Sequence, residues 1–103
     1  MDRGELREVE ALRRAFARDP ELGRQLSRRT FPRLVRRLRA LRPEERVPRA
    51  AALWALVVAA ELDPISRELL LRLGVPGFLV ELQRSDPSEA ESHYAARLAQ
   101  ILR

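Results

Sequence analysis

The ten residues from Leu73 to Leu82 are LGVPGFLVEL, with two glycines and a proline directly before an apolar run. Gly74 suits the left-handed end of one helix, and Pro76 fits the first turn of the next. The apolar residues that follow recur at helical spacing. The stretch therefore predicts two helices that meet at a sharp angle around residues 74–76.

Helical periodicity extends over nearly the whole chain, and no alternating strand pattern lasts. Asp19, Asp63 and Asp86 each precede a proline and are predicted N-caps. Ser88 with Glu91 offers a competing capping box two residues after Asp86. The chain is predicted to form seven helices, over residues 4–18, 20–29, 32–41, 48–61, 64–73, 76–84 and 88–102. Because the connections are short, residues 1–103 are predicted to form a single all-α domain.

An internal repeat appears when the chain is shifted by 44 residues against itself. Residues 19–59 then align with residues 63–103 without a gap, and 11 of the 41 pairs are identical. The identities fall on caps, prolines and core alanines, and the segment 30–34 (TFPRL) corresponds to the junction at residues 74–78. We interpret this as a true repeat; the alternative is generic similarity among amphipathic helices.

The second copy resembles an armadillo repeat. Residues 74–82 are similar to that family's segment of a glycine, an apolar residue, a proline and a leucine-valine helix. Residues 85–89 resemble its polar turn into a third helix, and residues 52–59 (ALWALVVA) resemble the core of that helix in the first copy. The period also fits the range of about 40–47 residues of armadillo and HEAT repeats.

The resemblance covers residues 19–103 and implies a short right-handed α-α superhelix of two three-helix units with an N-terminal capping helix. The implied parts are a cap helix in residues 1–18, repeat 1 in residues 19–62 and repeat 2 in residues 63–103.

Armadillo proteins bind extended peptides in a concave groove that their third helices line, commonly with tryptophan and asparagine as clamps. Trp54 matches the tryptophan position, but Val58 stands where asparagine is expected, and Gln100 is the candidate amide in the second copy. The resemblance therefore implies a protein-interaction or scaffold module with a groove lined by Trp54, Val58, Tyr94 and Arg97. Core packing is the alternative role for Trp54.

The partner is expected to be another protein, with a second copy of the chain as an alternative. Leu98, Ile101 and Leu102 on the last helix are apolar, and the sequence has no further unit to cover them. Part of that surface is therefore expected to stay open, which favours self-association into a homo-oligomer or docking as a structural subunit of a larger complex.

Arginine supplies all 20 basic residues against 15 acidic ones, and the net charge is +5. In the helix predicted near residues 32–41, the leucines and Val35 form one apolar stripe and arginines occupy the rest. An arginine-rich face within residues 24–42 is thus predicted, with the basic patch Arg29, Arg33, Arg36 and Arg37. The alternative function is nucleic-acid or other polyanion binding. No aromatic residues interleave to stack bases, so a merely solvated face, an acidic protein or anionic lipid also fits.

Catalytic, metal and cofactor sites are not indicated. His93 is the only histidine and there is no cysteine, so a metal site lacks its usual ligands. The four glycines are scattered rather than arranged as a phosphate-binding loop. The longest apolar run, residues 50–60, is about half of the ~20 residues that cross a bilayer. We therefore predict a non-enzymatic cytoplasmic protein with no membrane span.

Overall fold

The computed structural model describes the backbone of residues 3–103, together with the side chains of that range except residues 3–6, 8, 9, 12, 27 and 30. This part of the chain forms six α-helices and no strand, which confirms the all-α class. The helices are α1 (Arg3–Arg18), α2 (Pro20–Ala40), α3 (Arg46–Leu62), α4 (Pro64–Arg72), α5 (Val75–Arg84) and α6 (Glu89–Ile101). Among the described residues, no helix combines the length and the apolar character needed to span a membrane.

Helix α2 is continuous through Pro32, so the predicted division into helices 20–29 and 32–41 is wrong. A proline inside a helix costs about 3 kcal/mol through one lost hydrogen bond and a steric clash. Phe31 is fully buried and Val35 is 2% exposed, and burying each side chain contributes about 1.5–3 kcal/mol. The two together outweigh the cost of the proline. Thr30 aligns with Gly74 in the 44-residue repeat, but threonine does not adopt the left-handed conformation as readily as the glycine that ends α4.

The junction at residues 73–76 forms as predicted. Gly74 lies in the left-handed region, with φ 73°, and separates α4 from α5. Arg39, near the end of α2, donates from Nη2 to the carbonyl of Leu73 at 2.6 Å. Its guanidinium also lies 6.0 Å from the centre of the Phe78 ring. A cation at the carboxyl end of α4 stabilises that helix end, so α2 holds the junction in place.

Asp63 connects α2, α3 and α4. It is 2% exposed and accepts hydrogen bonds from Arg28 Nε at 3.1 Å and Arg28 Nη2 at 3.2 Å. Ser66 Oγ and the Ile65 N–H donate to it at 2.9 and 3.2 Å. Burial alone would raise the pKa of Asp63, but the hydrogen bonds from Arg28, Ser66 and Ile65 outweigh it and hold this pKa below its usual value.

The start of α6 is capped by Ser88, so the prediction of Asp86 as its N-cap is wrong. The Ser88 N–H donates to Glu91 Oε2 at 2.6 Å, and the Glu91 N–H donates to Ser88 Oγ at 3.3 Å. Asp86 lies outside the helix with φ 56°. The reciprocal capping box satisfies two N–H groups, those of Ser88 and Glu91.

Helix α3 is central and packs against α1, α2, α4 and α6. All six helices contribute to one buried cluster, whose fully buried members include Phe31, Leu53, Leu56, Leu70 and Leu98. The radius of gyration is 12.5 Å, close to the ~13 Å of a globular domain of this length. The two copies therefore share a single core.

Two ion pairs show that α3 and α6 run parallel. Near their amino ends, Arg49 Nε lies 3.1 Å from Glu91 Oε1, and both side chains are at least 94% buried. Further along both helices, Arg97 Nε donates to Glu61 Oε1 at 2.7 Å. The partners occur in the same order on the two helices, so the helices point the same way.

The 44-residue correspondence holds for the helical residues that follow Pro32 in α2 and Pro76 in α5. Val35 and Leu79 are each 2% exposed, and so are Leu38 and Leu82. The correspondence fails in the third helix, because Trp54 is half-buried whereas its counterpart Leu98 is fully buried. A shift of 43 residues instead pairs Ala52 with Ala95 and Ala55 with Leu98, and all four are buried.

Candidate partner-binding surface

A row of partly exposed side chains follows one side of α3. Val47, Ala51, Trp54, Val58 and Glu61 recur every three or four residues and so share one face of the helix. Val47 is 65% exposed, the next three are half-buried, and Glu61 is exposed. At 1.5 Å per residue the row is about 21 Å long. It is apolar over most of its length.

A second row lies on α6, formed by Tyr94, Arg97 and Ile101. Tyr94 and Ile101 are half-buried against the core, and Arg97 is exposed. The hydrogen bond from Arg97 to Glu61 places this row beside the row on α3. We call the combined surface the α3–α6 face; its residues are Val47, Ala51, Trp54, Val58, Glu61, Tyr94, Arg97 and Ile101.

The ring of Trp54 is held by an arginine from a third helix. The guanidinium carbon of Arg13, on α1, lies 4.6 Å from the centre of the ring. Such a cation–π contact is worth about 0.5–1 kcal/mol at an exposed site. Because Trp54 is half-buried rather than buried, part of its side chain stays at the surface.

The charges on this surface are arranged unevenly. Arg97 is neutralised by Glu61, whereas Arg13 adds a positive charge directly over the Trp54 ring. The surface thus offers two aromatic side chains, aliphatic area between them and two guanidinium groups. Tryptophan, tyrosine and arginine are the side chains most enriched in protein–protein interfaces.

The four groove residues predicted from the sequence, Trp54, Val58, Tyr94 and Arg97, all lie on the α3–α6 face. The sequence reasoning missed its other members, namely Val47, Ala51, Glu61 and Ile101, and it missed the neighbouring Arg13 of α1. Continuing the helical spacing from Trp54 would have found those on α3. Arg13 had no such signal, because its contact depends on how α1 packs.

The open surface predicted at the end of the last helix is smaller than expected. Leu98 is fully buried and Leu102 is 6% exposed, so these two leucines are not part of the open surface. Both belong to the shared core. Only Ile101 of the three is half-buried, and it continues the row on α6.

The predicted basic patch lies on the outer side of α2. Arg29, Arg33, Arg36 and Arg37 are all exposed. The wider arginine-rich face is divided, because several of its arginines have structural partners. Among them are Arg24 with Glu21 at 3.2 Å, Arg28 with Asp63, Arg36 with the Pro32 carbonyl, and Arg39 with the Leu73 carbonyl.

No cluster of three or more histidine, aspartate or glutamate side chains in the described part of the chain is placed to hold a metal ion. His93 is exposed on α6, and its ring meets Tyr94 edge-on at 5.5 Å. The buried ion pair between Arg49 and Glu91 joins α3 to α6. The Nε–H group of Arg49 does not point at Glu91 Oε1, so the contact is an ion pair without a hydrogen bond between these two atoms.

No protein-family model matches this chain, and no curated protein or solved structure is significantly similar to it. The resemblance to armadillo repeats therefore rests on the sequence alone.

Proposed function

We propose that this chain is a non-enzymatic protein-interaction module that binds an extended segment of another protein along the α3–α6 face. The observation that carries the proposal is the half-exposed Trp54 at the middle of an apolar row, with Arg13 above its ring. An exposed apolar row bordered by charge is typical of a partner-binding surface. A cytoplasmic location accords with the cysteine-free sequence.

The proposed architecture is a short armadillo-like right-handed superhelix in which α3 and α6 are the third helices of two units and α1 is the cap. Support comes from the parallel α3–α6 pair and from the packing of α1 against α3. In the first unit, α2 would combine the first and second helices, because Pro32 does not interrupt it.

A segment of about six extended residues fits the row, because a strand rises about 3.3 Å per residue and the row is about 21 Å long. Val58 presents an aliphatic group where the resemblance implies a backbone-clamping asparagine, and Gln100, the candidate amide of the second copy, is not among the residues of the α3–α6 face. The segment would therefore be held by its side chains, with apolar groups against Trp54 and Val58. A carboxylate beside Trp54 would pair with Arg13.

A different protein is favoured over a second copy of the chain. The sequence argument for self-association relied on open leucines at the end of α6, and Leu98 and Leu102 are buried. Light scattering at high protein concentration separates the two cases, since a stable dimer would show that this surface is covered by a second copy.

Selection from a displayed library of random peptides tests the proposal. Trp54 is the only tryptophan, so binding at this face should change its fluorescence. Trp54→Ala should weaken the selected peptides by at least ~30-fold, because a tryptophan hot spot contributes about 2 kcal/mol or more.

Leu71→Ala is the matched control, because Leu71 is an exposed apolar residue, 47% accessible, on α4. It should bind the peptides as the wild type does, and circular dichroism should show both variants folded. Peptides that bind Trp54→Ala as tightly as wild type and leave Trp54 fluorescence unchanged would contradict the proposal.

A further inference from the structure

Arg13 borders the α3–α6 face and forms no ion pair with a carboxylate in the part of the chain that the structure describes. The next residue of α1, Arg14, is paired with Glu10 at 3.5 Å. Across the face, Arg97 is paired with Glu61. Of these three arginines, Arg13 is therefore the one whose charge is open to a carboxylate from outside the chain.

The ring of Trp54 holds this charge in place without satisfying its hydrogen-bond donors. The guanidinium carbon of Arg13 lies 4.6 Å from the centre of the ring, within the range of cation–π attraction. A guanidinium carries five N–H groups, and the ring has no oxygen atom to accept them. Arg13 is exposed, so these donors are open to solvent. A carboxylate can accept two of them in parallel, at less entropic cost than with a freely rotating arginine.

We propose that the segment bound on the α3–α6 face is acidic and that Arg13 selects it, by pairing with an aspartate or glutamate of the partner beside Trp54. This inference rests on the proposed function, since it concerns the same segment on the same face. It adds the chemical class of the partner and the residue that recognises it. Arg97 is not expected to bind a second carboxylate, because Glu61 already neutralises it.

The spacing of the row on α3 predicts where apolar side chains stand relative to the acid. Side chains on one side of an extended segment recur every ~6.6 Å. Along the axis of α3, Trp54 lies about 6 Å from Val58, about 4.5 Å from Ala51 and about 10.5 Å from Val47. With the acid level with Trp54, the side chain two residues away in one direction meets Val58. The side chain two residues away in the other direction lies between Ala51 and Val47. The expected motif is therefore apolar-x-acidic-x-apolar, where x is any residue.

The charges on this surface favour an acidic segment over a basic or a neutral one. A basic segment would bring a second cation to the Trp54 ring beside Arg13, and like charges repel each other. A neutral segment would remove water from the N–H groups of Arg13 without giving them a charged acceptor. The net charge of the chain is +5, which attracts acidic segments and speeds their association.

The peptides selected from the displayed library test the proposal first by their sequences. Those whose binding requires Trp54 should share an aspartate or glutamate with apolar residues two positions before and after it. One such peptide is then compared with a version in which the acidic residue is replaced by its amide. Fluorescence anisotropy of the two labelled peptides measures their affinities for the wild type and for Arg13→Gln.

The affinity of the acidic peptide should fall about 5- to 12-fold in Arg13→Gln, between the values of an exposed ion pair and a close interfacial pair. The amide peptide should bind the wild type and Arg13→Gln within ~2-fold of each other, because it has no charge to pair with residue 13. With the wild type, the amide peptide should bind about 5- to 12-fold more weakly than the acidic one. That last comparison requires no variant to fold.

Arg18→Gln is the matched control, because it removes the same charge from an exposed position at the end of α1. It should keep the affinity of the wild type for both peptides, since residue 18 lies about 7.5 Å of helix length beyond Arg13. Glutamine favours helix nearly as well as arginine, and circular dichroism checks that both variants fold.

The possible results separate this inference from the proposed function. Trp54-dependent peptides that lack a carboxylate, or that carry lysine or arginine in its place, would overturn the inference and leave the proposed function standing. So would equal losses of the acidic peptide in Arg13→Gln and Arg18→Gln, because binding would then follow net charge alone. If the selection yields no peptide that depends on Trp54, the proposed function fails and the inference fails with it.

Discussion

Replacing Asp63 with asparagine perturbs the connection between α2, α3 and α4. Asparagine has nearly the same shape and caps a helix as well as aspartate does, so α4 should keep its start. Its side-chain NH2 group, however, must replace one oxygen that now accepts from Arg28 and Ser66. The Asp63→Asn variant therefore loses the charge and at least one hydrogen bond from Arg28.

The expected cost follows from the exposure of the two partners. A hydrogen bond to a charged group contributes about 1.5–3 kcal/mol. Asp63 is 2% exposed, but the Arg28 side chain is 37% exposed, and solvent screening reduces the value. We expect Asp63→Asn to lower the free energy of unfolding by about 1–2 kcal/mol, or on the order of 1 M in the urea midpoint. Trp54 fluorescence and circular dichroism measure it.

The effect should depend on pH in one direction. The pKa of Asp63 is lower in the folded protein than its usual value, which is about 3.9 in the unfolded chain. Above about pH 4 the carboxylate is ionised in both states and its full contribution to stability is present. Below that pH the unfolded chain takes up the proton first, so the contribution falls until the folded pKa is reached. The difference between wild type and Asp63→Asn should therefore shrink below pH ~4.

Asp86→Asn is the control, because Asp86 is exposed with φ 56°, a conformation that asparagine tolerates. Its stability should match the wild type at neutral pH. The reasoning is refuted if Asp63→Asn costs less than ~0.5 kcal/mol, the usual effect of a neutral surface change. A difference from wild type that stays constant through the acid range would refute it equally.

Three further predictions concern the junction, the buried ion pair and the tryptophan contact. Gly74→Ala should lower the free energy of unfolding by about 1–2 kcal/mol, because φ is positive at this residue. Gly77→Ala should raise it by about 0.5–1 kcal/mol, because a Cβ added there meets nothing within 4 Å. Urea unfolding measures both changes. Glu91→Gln should cost about 3–5 kcal/mol in thermal or urea unfolding, because it leaves Arg49 charged and buried. Arg13→Ala should cost about 0.5–1 kcal/mol and change the emission of the single tryptophan.

Each of these predictions has an outcome that contradicts it. Equal effects of the two alanine substitutions would show that residue 74 does not need positive φ. Glu89→Gln, at an exposed position in the first turn of α6, is the control for Glu91→Gln, and equal losses in the two would remove the role of the buried pair. Unchanged fluorescence in Arg13→Ala would mean that its guanidinium does not lie over the ring in solution.

Local signals in the sequence predicted most helix boundaries. Aspartate before proline marks the starts of α2 and α4, and Gly74 marks the break before α5. These signals work because a cap or a left-handed glycine acts within a few residues of itself. Pro32 misled the prediction, because burial of Phe31 and Val35 by other helices outweighs a local penalty.

The composition of the α3–α6 face was only partly predictable. Trp54 and Val58 were predicted because the resemblance to armadillo repeats implies groove residues at these two positions. The contact of Arg13 with Trp54 and the pair of Glu61 with Arg97 depend on which helices become neighbours. No local pattern encodes that. Arg28 shows the same limit, since it belongs to the arginine run in sequence but pairs with Asp63, 35 residues away.

The central claim is that a partner segment binds along the α3–α6 face. The most direct test is to titrate a library-selected peptide into isotope-labelled protein and to map the backbone amide shifts by NMR. We predict that the largest changes fall within residues 47–61 of α3 and 94–101 of α6, with the indole N–H of Trp54 among them. Changes centred instead on α2 or α5, with the Trp54 indole unmoved, would contradict the account.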